Sequence, residues 1–399
     1  MINLETPRKF RAFINQAHQV AAEMLRPNSR RYDLAEHEYP VELDMLAALV
    51  DGLGASGNGA GAGASGVRRT ASADEVVNGS NLSSVLSIME MCWGDVGLLL
   101  SMPRQGLGNS AIASVASDEQ LRRFAGVWAG MAITEPGCGS DSANIQTTAR
   151  LDGDHYVLDG EKIFVTAGGR CDAVVVWATL NKSLGRAAIK SFVVPKDTPG
   201  LTVERLEHKL GIRASDTATI RFENCRVPAE NLLGSASIDR GFAGVMQTFD
   251  NTRPLVAAMA VGCARASLEL TRSLLAEAGV DVDYDRPVHL QPAAAASYLA
   301  MESDWEAAYL LTLQAAWMAD NAAPNSLQAS MAKAKAGRTA NDITLRCVEL
   351  AGTLGYSEHE LLEKWARDSK ILDIFEGTQQ IQQLIVARRL LGKTSAELK

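Results

Sequence analysis

The chain has 399 residues, 47% of them hydrophobic, which is enough for two or three packed units and excludes a disordered tail or a fibrous repeat. Its 39 basic residues against 47 acidic residues give a net charge of −8, which excludes the concentrated basic surface of a nucleic-acid-binding protein. No apolar run approaches the ~20 residues that a membrane span needs, and the N-terminal sequence MINLETPRKF lacks a signal-peptide core, so we expect a cytoplasmic protein.

The first third of the chain has the pattern of a helical domain. Apolar residues recur at helical spacing before Pro27, where the first helix is predicted to stop, and a second helix is predicted from near Pro40 to Gly52. Seven glycines lie within residues 52–66, a segment with almost no side chain to bury, so we expect a flexible excursion there. These glycines lack the strand and helix context of a phosphate-binding loop. Helical patterning then resumes and continues to about residue 124.

Beyond Met131 the pattern alternates with the period of a β-strand. Asp152-Gly153 and Asp159-Gly160 are strong hairpin signals, and they predict three short strands within residues 144–169. Further strands are predicted in DAVVVWATL, AIKSFVVP, LTVERLE and TATIRFENCRVP. This number of short strands separated by turns indicates a small antiparallel barrel or sandwich.

After Gly241 the helical period returns for the rest of the chain. Helices are predicted at residues 241–279, 290–320, 325–350 and 379–391, and four apolar-striped helices indicate a bundle. The predicted fold class is therefore mainly helical with a middle β domain. The predicted domains are a helical domain at 1–128, a β domain at 129–235 and a helical bundle at 236–399.

Two segments at the start of the β domain could hold a planar ligand. In MAITEPGCGSDS, Thr134, a Pro-Gly turn and Ser140 place small hydroxyls and backbone amides at one rim, although a plain turn after a strand gives the same pattern. Strand alternation puts Phe164 and Thr166 on one face, where they can cover a flavin ring or simply pack within the sheet. The scattered cysteines and histidines predict neither a metal site nor a disulfide framework.

Two segments of the predicted bundle carry further candidate groups. Glu376 follows an apolar run and precedes a helix that Gly377 and Thr378 begin. Apolar surroundings would raise its pKa by desolvation and suit it to abstract a weakly acidic carbon proton, whereas a solvated glutamate at a helix start is the alternative. Asp250 and Arg253 share one helical face, either as ligand contacts or as a surface ion pair.

Together these segments resemble the acyl-CoA dehydrogenases along nearly the whole chain. The resemblance rests on three blocks, which are MAITEPGCGSD, KLGIRASDTATIRFENCRVPAENLLG with the following FDNTRP, and RDSKILDIFEGTQQIQQLIVARR. It implies an N-terminal helical domain, an antiparallel β-barrel or sandwich and a C-terminal four-helix bundle, with FAD held between the β domain and the bundle. It also implies an acyl-CoA substrate and an electron-transfer flavoprotein as electron acceptor.

The resemblance assigns roles to residues at matching positions. It implies that Glu376 removes the α-proton of the thioester while a hydride passes to flavin N5, which gives the trans-2-enoyl-CoA. A subgroup of the family carries this base immediately before the bundle arginine, where this chain has Thr252. The matching cofactor positions are Ile133, Thr134, Ser140, Phe164, Thr166, Thr378 and Gln380, and the matching substrate positions are Ser140, Asp250, Arg253, Gly377 and Arg388.

The departures from the family pattern fall where relatives meet the pyrophosphate of FAD. Acidic side chains there cannot donate a hydrogen bond to a dianionic pyrophosphate, and they repel its charge. In homotetrameric relatives these contacts come from the neighbouring chain. From these departures we hypothesise a heterotetramer in which a second acyl-CoA dehydrogenase-like chain supplies the contacts. The changed positions are Ala278, Glu349 and Thr353, and the added acids are Asp281, Asp283 and Asp285.

Other functions stay open on the sequence. The chain could be a non-catalytic subunit that stabilises an assembly, or an acyl-CoA oxidase or flavin monooxygenase on the same fold. Gly94 and Gly97 lie in the helical segment expected to line the acyl cavity. These small residues indicate either room for a bulky acyl group or tight helix packing.

Overall fold

The computed structural model describes residues 6–55, 79–103, 107–237, 243–394 and 397. Its fold is mainly helical with a middle β-sheet domain, which confirms the predicted fold class. Of the predicted excursion at 52–66, residues 52–55 continue a helix and the remainder lies outside the described residues. The N-terminal helices are α1 (Arg11–Val20), α2 (Arg26–Leu34), α3 (Glu42–Ala55), α4 (Ser80–Gly94), α5 (Val96–Leu100), α6 (Leu107–Val115) and α7 (Asp118–Arg123).

The first helix does not stop at Pro27, which corrects the prediction. A π-helical turn at Ala21–Leu25 joins α1 to α2, and Pro27 lies in the first turn of α2. A proline is tolerated in this first turn because the preceding π-helical turn interrupts the regular α-helical hydrogen bonds, so the N–H that proline lacks is not needed there. The Asn28 side chain donates to Met24 O at 2.8 Å and satisfies a carbonyl of that turn.

Seven strands in the described part of the chain form one sheet in the order β1-β4-β2-β3-β7-β6, with β5 also paired to β4. Most pairs are antiparallel, but β1 and β2 each run parallel to β4, which the sequence did not indicate. Parallel pairing requires a crossover connection, which the turn signals between neighbouring strands do not reveal. The strands are β1 (Ala129–Ala132), β2 (Thr148–Asp152), β3 (His155–Thr166), β4 (Ala173–Thr179), β5 (Ile189–Pro195), β6 (Leu201–Leu206) and β7 (Thr217–Pro228).

One of the two hairpin signals is a turn and the other is not. Asp152 and His155 pair across a tight turn in which Gly153 has a φ of 64°, as predicted. Asp159-Gly160 instead lies inside the single strand β3, at a shift in its pairing with β7. Gly160 has a φ of 151°, and a Cβ there would lie 2.5 Å from Thr147 Oγ1. A glycine is therefore required at position 160 by a bulge and by a close contact. Residues 155–166 form one strand and not the two that were predicted, so residues 144–169 contain two strands instead of three.

The third region is the helical bundle. The four long predicted helices correspond to α8, α9, α10 and α13, whereas α12 was not predicted as a helix. Its apolar pattern is interrupted because its buried face carries Lys364 and Asp368 beside Trp365. The helices are α8 (Ala243–Glu277), α9 (Ala293–Asp320), α10 (Ser326–Ala351), α11 (Thr353–Tyr356), α12 (Leu362–Leu372) and α13 (Gln379–Leu391).

Helix α8 crosses the middle of the bundle. Its segment Thr252–Glu277 is long and apolar enough to pass as a membrane span by length and composition alone, with a mean hydropathy of 1.2 in its most apolar part. Within the fold, 78% of the most apolar part of that segment is buried. A Cβ on Gly262 would lie 2.2 Å from Met89 O, so α4 and α8 are in direct backbone contact. Packing in the bundle accounts for the apolar composition of α8.

A buried ionic cluster joins the helical regions to the sheet. Lys364 Nζ lies 2.6 Å from Asp95 Oδ2 and 2.5 Å from Asp368 Oδ2, and all three side chains are buried. Asp95 also accepts the Leu98 N–H at 2.7 Å and caps α5. Asp368 accepts the Ile212 N–H of the β6–β7 loop at 2.5 Å. Asp368 and Asp95 outweigh the opposing effect of burial and raise the pKa of Lys364, so the lysine stays charged.

Replacing Lys364 by methionine should lower the free energy of unfolding by about 3–5 kcal/mol, because two buried carboxylates would lose their counter-ion. Chemical denaturation followed by tryptophan fluorescence measures this loss. The control is Lys370→Met on the same helix, which removes a half-exposed ammonium 3.8 Å from Asp373 and should cost no more than about 1 kcal/mol. Equal losses in the two variants would contradict the central role of the cluster.

Candidate active site

A buried ion pair fixes the chain where it leaves β1. Lys162 Nζ lies 2.7 Å from Glu135 Oε1 and 3.1 Å from Ile133 O. Burial lowers the pKa of Lys162 to about 8, although Glu135 opposes this shift. The turn at residues 135–138 closes with two reciprocal backbone hydrogen bonds of 3.0 and 3.1 Å. Ile133 and Thr134 are therefore held firmly at this edge of the sheet.

An irregularity in β3 turns Phe164 away from the sheet interior. Between Lys162 and Val165 the pairing with β7 shifts by one residue, and Phe164 has a left-handed φ of 56°. Lys162 and Val165 both point into the interior as a result, while Phe164 is 59% exposed. Thr166 follows as a half-buried residue. The bulge thus presents an aromatic ring at the rim of the sheet.

The β1 edge lies against this part of β3. The Ile163 N–H donates to Thr134 O at 2.8 Å. A Cβ on Gly139 would lie 3.8 Å from Thr134 Cγ2, so the exposed Ser140 follows directly beyond the Thr134 side chain. These contacts define a sheet group, which consists of Ile133, Thr134, Ser140, Phe164 and Thr166.

Glu376 lies in the turn between α12 and α13, in a backbone conformation that glutamate rarely adopts. Its φ is 57°, and that of the following Gly377 is 93°. The glutamate is only 8% exposed, which excludes the alternative of a solvated residue at a helix start. Thr252 on α8 donates its hydroxyl to Glu376 Oε2 at 2.6 Å. Strained conformations of this kind persist where the surrounding structure enforces them.

The environment of Glu376 makes it a stronger base than an ordinary glutamate. Burial raises its pKa, and the Thr252 hydroxyl, Arg253 and Lys333 partly oppose that increase. Arg253 is 2% exposed, which excludes its alternative interpretation as half of a surface ion pair. A base with a raised pKa can accept a proton from a weakly acidic carbon more readily than a solvated carboxylate.

Two residues that the sequence analysis missed hold the backbone of the Glu376 turn. Lys333 Nζ on α10 donates to Gly377 O at 2.7 Å. Gln382 Nε2 on α13 donates to Glu376 O and to Gly377 O, each at 3.1 Å. The sequence could have indicated these two residues, because a lysine and a glutamine lie at positions on the buried faces of their helices, where such residues are uncommon.

The other predicted residues of this region lie on α8 and α13. Thr378 caps α13 by accepting the Ile381 N–H at 3.4 Å. Gln380 is exposed and Arg388 is half-buried further along α13. The side chain of Asp250 lies outside the described residues. The contacts above define a bundle group, which consists of Thr252, Arg253, Lys333, Glu376, Gly377, Thr378 and Gln382.

The β6–β7 loop connects the sheet to α12, the helix that precedes Glu376. Arg367 Nη1 donates to Leu210 O at 3.0 Å, and the Ile212 N–H is bound by Asp368. A Cβ on Gly211 would lie 2.4 Å from Arg367 O, so the loop backbone lies directly on the helix. Docking of this loop therefore sets the position of the Glu376 turn relative to the sheet.

Gly94 and Gly97 serve close packing. A Cβ on Gly94 would lie 2.9 Å from both the Cβ and the carbonyl oxygen of Ala21. A Cβ on Gly97 would lie 3.3 Å from the Cβ of Ala214. Of the two interpretations left open by the sequence, these distances support tight packing over an enlarged cavity.

One set of described side chains has the composition of a metal site. Glu36, His37 and His208 place ligand atoms within 4.8 Å of one another. Glu36 is already bonded by His208 Nδ1 at 2.7 Å and by the Lys209 N–H at 3.0 Å. The set thus forms a polar contact between the end of α2 and the segment after β6, and it belongs to neither the sheet group nor the bundle group.

Known proteins resemble this chain in sequence and in structure. The family model of the acyl-CoA dehydrogenase C-terminal domain matches residues 239–391, and that of the middle domain matches residues 130–225. The mitochondrial short-chain specific acyl-CoA dehydrogenase of Mus musculus is 40% identical over 65% of this chain. The match spans 62% of that enzyme's own length, which is less than two thirds.

Two further proteins match over more of their length. The short-chain specific acyl-CoA dehydrogenase of Clostridium acetobutylicum is 33% identical over 78% of this chain and 83% of its own length. The solved structure of butyryl-CoA dehydrogenase from Megasphaera elsdenii superposes with a TM-score of 0.81 at 28% identity. That superposition covers 98% of this chain and 100% of the other.

Replacing Thr252 by valine should raise the pKa of Glu376 further, because the hydroxyl hydrogen bond stabilises the ionised carboxylate. Difference infrared spectroscopy over a pH series measures this, with Glu376→Gln identifying the carboxyl band. The control is Thr312→Val on α9, where an equally buried hydroxyl donates to Ala308 O at 2.8 Å. A pKa of Glu376 that is unchanged or lower in Thr252→Val would contradict the contact.

Proposed function

The chain belongs to the acyl-CoA dehydrogenase family, and we propose that it oxidises an acyl-CoA thioester to the trans-2-enoyl-CoA. The observation that carries this proposal is the buried carboxylate of Glu376, held in a strained turn with a raised pKa. The α-proton of a thioester is weakly acidic, so its removal needs a base of more than ordinary strength.

The contacts of Glu376 suit proton removal in two respects. Before the transfer, the Thr252 hydroxyl at 2.6 Å and the cations of Arg253 and Lys333 stabilise the carboxylate. After the transfer, the protonated acid is the form that burial favours. The Thr252 hydroxyl occupies the position that carries the base in a subgroup of the family, so Glu376 is assigned the α-proton in this chain.

The sheet group fits a flavin ring. Phe164 offers an exposed aromatic face on a fixed bulge, and Thr134 and Thr166 supply hydroxyls at the same rim. FAD, the cofactor of the family, accepts a hydride when it is bound. The buried side-chain oxygens of Gln379 and Gln382 have no donor within the described residues, so the bundle side offers free acceptors. We assign the cofactor to Ile133, Thr134, Ser140, Phe164, Thr166, Thr378 and Gln380.

We further propose that the substrate carries a short acyl chain. The relatives above are named as short-chain enzymes, and Gly94 and Gly97 are used for packing rather than for extra space. The proposed substrate contacts are Ser140, Asp250, Arg253, Gly377 and Arg388. An electron-transfer flavoprotein is the proposed electron acceptor. A cytoplasmic location agrees with six cysteines that are all buried free thiols.

Glu376→Gln should lower kcat for the oxidation of butyryl-CoA by about 10²–10⁴-fold, because the amide cannot accept the proton. KM should change little, since the side chain keeps its size. Reduction of a dye acceptor by the reconstituted, flavin-loaded complex measures both. The control is the exposed Glu358→Gln, which should leave turnover unchanged.

The result also separates the alternative functions. Unchanged turnover in Glu376→Gln would favour a non-catalytic subunit. Peroxide formed in air as fast as dye is reduced would indicate an oxidase or a monooxygenase instead.

We also propose that the chain works in a heterotetramer with a second acyl-CoA dehydrogenase-like chain. The support is the position of the departures from the family pattern, since Ala278, Glu349 and Thr353 are all exposed. Glu349 is paired only by a salt bridge of 2.5 Å to the neighbouring Arg346 on its own helix, as far as the described residues show. The exposed carboxylate of Glu349 would repel the pyrophosphate of a cofactor bound by an identical neighbour.

Purified alone, the chain should retain little FAD, and co-expression with the partner chain should restore a yellow, active complex. Affinity copurification from the native host identifies that partner, and absorbance at the flavin band measures the FAD content. The double variant Glu349→Gln with Thr353→Gly should raise FAD retention by the chain alone, because it removes the repelling charge. A fully flavinated and active homotetramer of the unmodified chain would overturn this proposal.

A further inference from the structure

Among the described residues, three lysines are fully buried, and one of them is bonded differently from the other two. Lys162 and Lys364 each have a carboxylate oxygen within 2.7 Å. Lys333 donates instead to the carbonyl oxygen of Gly377 at 2.7 Å, and no carboxylate among the described residues forms an ion pair with it. Burying an ammonium group against a neutral carbonyl is unfavourable, and burial lowers the pKa of Lys333 to about 8. A neutral donor would bind the same carbonyl without that desolvation cost.

Two neighbouring carboxylates favour the charged form of Lys333. Asp373 and Glu376, in the segment between α12 and α13, raise its pKa, whereas Arg253 on α8 lowers it. Glu376 in turn is stabilised as a carboxylate by Arg253 and Lys333. Asp373 is itself approached by two further cations, Arg338 at 3.6 Å and Lys370 at 3.8 Å. The other charged group that stabilises the Glu376 carboxylate is Arg253.

The Gly377 carbonyl that Lys333 binds belongs to the strained turn. Glu376 and Gly377 both have left-handed φ angles, and Gln382 supplies the other side-chain donor to their carbonyls. Side-chain donors on two helices, α10 and α13, thus bind the carbonyl groups of two consecutive residues of the turn. If one donor is lost, the glutamate can relax towards its ordinary backbone conformation, which would move its carboxylate away from Thr252.

We propose that Lys333 is a positioning residue for Glu376, which holds the turn in its left-handed conformation and provides a counter-charge to the carboxylate before proton transfer. Lys333 acts through the Gly377 carbonyl and through its charge. The catalytic consequence rests on the function proposed above, whereas the conformational consequence does not.

The first test measures hydrogen exchange, which requires no turnover. In Lys333→Met, the amides of residues 373–382 should exchange about tenfold faster, the factor expected for the loss of one hydrogen bond, while the rest of the bundle is unchanged. The control is Lys335→Met on the same helix, whose ammonium is partly exposed and pairs with Asp304. Exchange in Lys333→Met that matches the control would overturn the positioning role.

The second test separates the hydrogen bond from the charge. Lys333→Gln keeps a donor without the charge, so protection of residues 373–382 should be retained even if the methionine variant does not fold. The infrared carboxyl band of Glu376 should titrate at a higher pH, and the pH profile of kcat/KM should shift in the same direction. A carboxyl titration in Lys333→Gln identical to that of the unmodified protein would overturn the role of the charge.

The two tests distinguish this proposal from the proposed function. If Glu376→Gln keeps full turnover while Lys333→Met loosens residues 373–382, the function is wrong and the positioning role stands. If Glu376→Gln loses turnover but neither Lys333 variant changes exchange or titration, the function stands and the positioning role is wrong.

Discussion

The contact on which the rest of the structure depends is the buried cluster of Lys364, Asp95 and Asp368. The ammonium lies between a carboxylate at the start of α5 and one on α12, and Asp368 also binds the Ile212 N–H of the β6–β7 loop. None of the three charges is stable in the interior without the others. The N-terminal helices, the sheet and the bundle are therefore tied together at one point, and none of them can move there independently.

The same cluster determines where the candidate base is placed. Helix α12 carries Lys364 and Asp368, and it ends at Leu372, shortly before the Glu376 turn. Docking of the β6–β7 loop on this helix fixes the turn relative to the sheet group. On the sheet side, the buried Lys162 pair and the bulge at Phe164 hold the sheet group. Two rigid surfaces are thus brought to a defined relative position by contacts that lie outside both of them.

Desolvation sets the chemistry that these surfaces can perform. Burial raises the pKa of Glu376 and lowers that of Lys333 to about 8, so burial disfavours the charged form of each group. Lys364 is equally buried, yet two carboxylates keep it charged and make it purely structural. The arrangement of partners, and not burial alone, decides which buried charge is reactive.

The sequence by itself determined the order of helices, sheet and bundle, the Asp152-Gly153 turn and the position of Glu376 before a helix, because periodicity and turn residues act over a few neighbours. It gave the wrong role to Pro27 and to Gly160, and it missed α12 and Lys333. Gly160, α12 and Lys333 depend on partners distant in the chain, such as Thr147 against Gly160 or Asp95 against Lys364, whereas Pro27 is accommodated by the local π-helical turn before it. Only the tertiary structure decided that Glu376 is buried and strained, since the groups that enclose it come from α8, α10 and α13.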